Sequence, residues 1–122
     1  MAGVDLKPVE VKPSKVAKSL GLEVGDIESS KPIVNVSVGV TWLLVPVRDE
    51  SSLLGTSPDL ELLKDLSTEV NAVGIYAFSG SGTFVARAFA PAIGVEEDPV
   101  TGTGAACLAA YANSYSVWNR WK

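Results

Sequence analysis

From Ala105 to Ala112 the chain reads AACLAAYA, and this run constrains the fold more than any other stretch. Wound as a helix it has no polar stripe, and a helix that is apolar all round belongs in a protein interior. Its alanines let surrounding strands approach the helix closely. The residues just before it are equally distinctive: EEDPVTGTG, Glu96 to Gly104. Asp98 precedes Pro99 and so favours extended backbone. Thr101 is placed to cap the helix, with Gly102, Thr103 and Gly104 in its first turn. The first turn of a helix leaves about four N–H groups without intrahelical partners, and the helix dipole adds partial positive charge there. A carboxylate or phosphate is the natural guest of such a mouth, with the Thr103 hydroxyl aimed at the same place. Asp98, just outside, is positioned to meet a substrate amine or hydroxyl or to help move a proton.

Competing chemistries are easier to exclude than to choose. The pattern is not a phosphate-binding loop, because no lysine follows the glycines, and its spacing is wrong for a dinucleotide fingerprint. The 122 residues include no histidine and a single cysteine, Cys107. No zinc site is expected from such a set, and no metal is assigned. Cys107 lies more than a turn inside the apolar helix and is read as a small buried hydrophobe. Glu96 and Glu97 are read as solvated. Arg87, between Val85 and Phe89, is read as structural, facing outward or pairing with one of these acids. The net charge of −4 gives no footprint for nucleic acid or an anionic membrane, although Lys7, Lys12, Lys15 and Lys18 cluster early among prolines. No apolar run approaches the ~18 residues of a membrane span and no secretory pattern opens the sequence, so a cytoplasmic protein is expected.

The rest of the chain reads as a single α+β domain over 1–122, 47% hydrophobic and 20% charged. VEVK between prolines suggests an extended edge segment. Ser14 is the expected cap of a short helix from Lys15 to Leu20, ended by Gly21, and a polar stretch follows from Glu23 to Lys31. IVNVSV and TWLLVPV are two strands turned at Gly39–Val40. SSLLGTSPDLELLKDL contains a helix capped by Ser57 with Pro58 at its first position. Its apolar stripe is Leu60, Leu63 and the Leu62–Leu66 pair. AVGIYAFS and TFVARAFA are further strands, joined at Gly80–Gly82 by a hairpin. With strands mostly neighbours in sequence, a largely antiparallel sheet is favoured.

The segment ARAFAPAIGVEEDPVTGTGAACLAAY resembles the second-half signature of the phenazine-biosynthesis (PhzF-like) isomerase family. Its elements are Arg87, Phe89-Ala90-Pro91, Gly94, and the run Glu97 to Thr103 before a small-residue helix. The resemblance covers residues 31 to 111. It implies one half of a diaminopimelate-epimerase-like fold, a curved sheet wrapped around a central helix, with the active site between two such halves. By the same resemblance Asp98 orients the substrate, while the backbone of Gly102, Thr103 and Gly104 and the Thr103 hydroxyl hold its carboxylate. No cofactor is implied. Related epimerases and racemases place a catalytic cysteine where this chain has Thr101, which disfavours two-cysteine racemisation. The family's acid/base glutamate and a histidine come from the first half, and no motif for them is present.

The function expected is therefore half of a cofactor-independent isomerase or epimerase, moving a proton on a small carboxylate-bearing metabolite. The implied partner is a complementary N-terminal half or a second copy. The alternative is a non-catalytic homodimeric binding or structural module built on the same fold.

Overall fold

The computed structural model describes residues 5–80, 84–91, 94–98 and 102–114, with the side chains of Val95, Glu96 and Asp98 outside that description. The elements run β1 (Asp5–Pro8), α1 (Pro13–Ser19), β2 (Val34–Ser37), β3 (Thr41–Pro46), α2 (Glu50–Leu54), α3 (Leu60–Val70), β4 (Gly74–Ser79), β5 (Val85–Ala90), β6 (Val95–Asp98) and α4 (Gly102–Ser114). A 3-10 turn occupies Val24–Asp26. The strands make one six-stranded sheet in sequence order. Each neighbouring pair is antiparallel except β3 and β4, which run parallel. A parallel pair cannot be closed by a tight turn, and α2 and α3 form the crossover. The α+β class and the mostly antiparallel sheet expected from the sequence both hold.

The sheet is covered on both faces. On one, Leu43, Val45, Ile75, Ala77 and Phe89 pack against Val16 and Leu20 of α1, Leu53 of α2, and Leu63 and Leu66 of α3. On the other, Val34, Val36, Trp42, Leu44, Tyr76 and Phe78 pack against Cys107, Leu108, Tyr111 and Ala112 of α4. Strands buried on both faces read as continuous apolar runs, not alternating ones. That is why TWLLVP and GIYAFS carry so few polar residues. The VEVK segment abuts β1, an edge strand blunted by Lys7 and Pro8.

Several local readings change. α1 begins at Pro13 with Lys12 as its cap position and no side-chain cap bond, so Ser14 is not the cap. Proline is favoured at the first helical position because its missing N–H costs nothing there. Gly21 does end the segment: its φ is +70°, and a Cβ at this position would lie 2.2 Å from the Ser57 carbonyl oxygen.

The stretch SSLLGTSPDLELLKDL holds the expected helix, α3, and a second short one ahead of it, α2. Asp49 caps α2, its carboxylate accepting from the Ser52 N–H at 2.7 Å. Asp59, not Ser57, caps α3, accepting from the Leu62 N–H at 3.2 Å. Both Ser57 and Pro58 lie in the link between the helices. A carboxylate at the cap adds charge to the dipole term that a serine lacks. Leu63 and Leu66 are fully buried as expected, while Leu60 and Leu62 are half-buried. β4 and β5 pair antiparallel, although residues 81–83 of the expected hairpin lie outside the described residues.

α4 differs in one respect from the all-round burial that its composition predicts. Gly104, Cys107, Leu108, Tyr111 and Ala112 are buried, whereas Ala105, Ala106 and Ala109 are exposed. Along this outer side runs an open groove of about 460 Å³, lined by Leu6, Ala106, Ala109, Ala110, Asn113 and Ser114. The sheet of this chain covers one side of the helix only. Tyr111 anchors the buried side, its hydroxyl donating to the Pro32 carbonyl at 2.5 Å and its ring edge-on to Phe78 at 5.0 Å.

Candidate functional site

The sequence-predicted site sits where β6 hands over to α4. β6 pairs with β5 through Ala88 opposite Asp98 and Ala90 opposite Val95, with a register shift between them. Such an irregularity bends a strand and redirects the chain beyond it. Asp98 is the last residue of β6 and Gly102 the first of α4. The intervening chain can span at most ~14 Å, which bounds how far the Asp98 backbone lies from the helix mouth. Thr101, the expected cap, lies outside the described residues, as does the SVWNRWK tail.

Arg87 holds β6 in place. Its Nε and Nη2 donate to the two carboxylate oxygens of Glu97 at 2.8 and 2.9 Å, a bidentate pair. Its Nη1 reaches across to the carbonyls of Thr56 at 3.0 Å and Leu53 at 3.3 Å, at the end of α2. A cation there meets the negative pole of that helix. The guanidinium lies over the Phe89 ring, 5.2 Å from its centre. Arg87 is therefore structural, as its pattern suggested, but it faces the helical layer and not outward. The same pair holds the Glu97 carboxyl below the ordinary carboxylate value, chiefly through the hydrogen bond from Arg87. Glu97 is exposed yet committed, which removes it as a ready base. The side chain of Glu96 lies outside the described residues.

At the mouth itself, Thr103 is half-buried and Gly104 buried. The Trp42 indole N–H donates to the Thr103 hydroxyl oxygen at 3.0 Å. This contact ties β3 to the first turn of α4 across the sheet face. Sequence reading missed it: Trp42 registered only as a strand-forming aromatic. The available signal was the need of a buried indole N–H for a partner.

One turn further on, Cys107 is fully buried and its thiol donates to the Val36 carbonyl at 3.2 Å. Burial pushes its pKa up, so it stays a thiol and is inert, as expected. Among the described residues, no three His, Cys, Asp or Glu side chains converge in a way that would hold a metal.

A single sheet with one glycine-led helix laid over one face, following the last strand, defines this chain as an α+β unit. The chain belongs to the family of phenazine biosynthesis-like proteins (PhzC–PhzF), whose sequence model matches residues 5–121. A Deinococcus radiodurans protein named as an uncharacterized isomerase is 39% identical over 102 residues, covering 81% of this chain and 33% of that protein. The uncharacterized isomerase YddE of Escherichia coli O157:H7 is 30% identical over 105 residues, covering 84% of this chain and 35% of YddE. Among solved structures, the PhzF-family phenazine biosynthesis protein of Bacillus anthracis superposes with a TM-score of 0.82 at 29% identity. That match covers 93% of this chain and 40% of the Bacillus protein. The chain thus spans about a third of the length of the curated relatives it matches. Among the described residues no helix is long and apolar enough to cross a membrane.

Proposed function

We propose that this chain supplies the C-terminal half of a cofactor-independent isomerase or epimerase that shifts a proton on a small carboxylate-bearing metabolite. The mouth of α4 holds the substrate carboxylate with the backbone of Gly102, Thr103 and Gly104, the positive end of the helix dipole and the Thr103 hydroxyl. Asp98, at the end of β6, contacts the substrate and orients it. The proton is taken from carbon by a base contributed by a complementary half or a second copy, and is returned at another position. General acid–base catalysis of this type accelerates a reaction ~10²–10⁴-fold. Stabilisation of developing negative charge by the helix mouth contributes on a comparable scale.

The observation that carries this reading is the placement of the family's E-D-P-V-T-G-T run: it spans the end of β6 and the start of α4, with Thr103 already engaged by a buried donor. The base is sought outside the chain because there is no histidine in it and Glu97 is locked to Arg87.

The test is deuterium exchange at carbon. The chain, alone and mixed with an N-terminal half of a relative, is incubated in heavy water with a panel of small amino and hydroxy acids. Incorporation that disappears in Asp98→Asn supports the reading. Incorporation that survives in Asp98→Asn removes Asp98 from it. A broad panel with no exchange in either mixture favours the non-catalytic homodimeric module instead.

A further inference from the structure

We propose that Arg87 is a positioning residue for Asp98: by clamping Glu97 on one face of the sheet, it fixes the end of β6 that presents Asp98 on the other. The inference rests on the reading of Asp98 as the residue that contacts substrate, and it names what holds that residue in place. β6 needs such a hold. It is four residues long and forms an edge of the sheet among the described residues. Its ladder to β5 joins Ala90 to Val95 and Ala88 to Asp98, so β6 advances three residues while β5 advances two. One extra residue of this kind makes a bulge, which interrupts the ladder and leaves part of the strand unpaired. The interruption falls just before Asp98, and Glu97 lies within it.

The Glu97 carboxylate accepts from Arg87 Nε at 2.8 Å and from Nη2 at 2.9 Å, and a two-point pair fixes direction as well as distance. Arg87 is itself anchored. Its Nη1 donates to the Thr56 carbonyl at 3.0 Å, and its guanidinium lies 5.2 Å from the centre of the Phe89 ring. Arg87 stands opposite Ala77 of β4, a residue of the core under α1, α2 and α3, so the clamp works on that side. Asp98 stands opposite Ala88, a residue of the core under α4. A hold on Glu97 behind the sheet therefore governs where the next residue of the chain stands in front of it. A residue that orients a ligand must be kept within about 0.5 Å of its working position, and the interrupted ladder leaves that task to the clamp.

The experiment is NMR of the full chain with its aspartate carboxyls labelled with ¹³C, the Asp98 signal being assigned by its loss in Asp98→Asn. The probe is glycine, which carries an amine and a carboxylate in the smallest frame. In the wild type, glycine is expected to shift the Asp98 carboxyl. Arg87→Lys and Glu97→Asp each keep the charge and lose the two-point geometry. Each is expected to weaken glycine ~3–10-fold, the scale of one misplaced hydrogen bond. The double variant should add nothing to either single one, because both act through the same clamp. Urea midpoints of the same samples separate positioning from stability.

The inference is overturned if both variants lower the urea midpoint and leave glycine affinity unchanged, since the pair then only holds the sheet together. It also fails if the two losses multiply in the double variant. If glycine does not move the Asp98 carboxyl of the wild type, the reading of Asp98 itself is wrong and the inference falls with it. Should Arg87→Lys not fold, Glu97→Asp decides alone: an unchanged glycine affinity refutes the positioning role.

Discussion

On one face of the sheet, α1, α2 and α3 together bury Leu43, Val45, Ile75, Ala77 and Phe89 to 2% exposure or less. On the other, among the described residues, α4 is the helix that covers Trp42, Leu44, Tyr76 and Phe78, and Ala105, Ala106 and Ala109 are exposed. The first face is complete as it stands. The second carries every residue that the family resemblance assigns to substrate, apart from Asp98 at the end of β6, together with a helix that has no polar residue on its outer side before Asn113. The finished core and the candidate site thus lie on different faces, and that division can be tested from either side.

The largest effect is expected in the finished layer. Phe89→Ala removes a fully buried ring on the strand that α2 and α3 cover, beneath the Arg87 guanidinium. It should destabilise by ~3–5 kcal/mol, read as a lowered urea midpoint with the slope retained. Gly74→Ala crowds the α4 side of the sheet, because its new methyl meets the Phe89 and Ala90 backbone of the neighbouring strand and the Trp42 ring. Overpacking of this kind costs ~1–3 kcal/mol. Near-ultraviolet circular dichroism from Trp42 should change with it. A neutral result would mean that the strand spacing at β4 is looser than the structure has it.

The Arg87–Glu97 pair gives a smaller and pH-dependent effect. Glu97 titrates below its ordinary value of 4.5 in the folded chain. The pair therefore stabilises fully above that value and loses its contribution as the pH falls through the lowered pKa. Glu97 is 41% exposed, so screening holds the effect to ~1 kcal/mol or less. Glu97→Gln should flatten part of the acid limb of a stability–pH curve and leave stability at pH 7 lower by that amount. The remaining acid limb includes Glu28 and Asp49, whose carboxyls are lowered by hydrogen bonds from Ser30 and Ser52. An acid limb unchanged by Glu97→Gln would show that β6 is held without the pair.

Much of the fold was legible in the sequence, and the exceptions have physical reasons. TWLLVPV and AVGIYAFS declared strands through dense β-branched and aromatic residues, and TGTGAACLAAY declared a helix through glycine punctuation and small apolar residues. The caps were misassigned because serine and aspartate compete for the same role within two or three residues, at Ser57 and Asp59. Only the path of the backbone decides which carboxylate or hydroxyl reaches an N–H. The short α2 escaped the sequence reading because five residues are too few to show a period. The contact from Trp42 to Thr103 was hidden because its partners are 61 residues apart. The exposure of one side of α4 was also hidden: its composition reports where the helix belongs, while burial depends on what else is present to cover it.

That last point yields the smallest expected change in the isolated chain and the sharpest contrast between faces. Ala109 is exposed, and arginine is nearly as good a helix former as alanine. Ala109→Arg should therefore shift stability by no more than ~0.5 kcal/mol, against several kcal/mol for a charge placed on the finished face. If a complementary half or a second copy closes over α4, the same arginine becomes an unpaired charge in an apolar contact, which is strongly unfavourable. Sedimentation equilibrium of the chain, alone and mixed with an N-terminal half, then separates the cases. Association lost in Ala109→Arg with the melting curve unmoved identifies the outer side of α4 as the surface that a partner covers. Association that survives the arginine places the partner elsewhere, and the open side of α4 is then a property of this surface and not a seat for a complementary half.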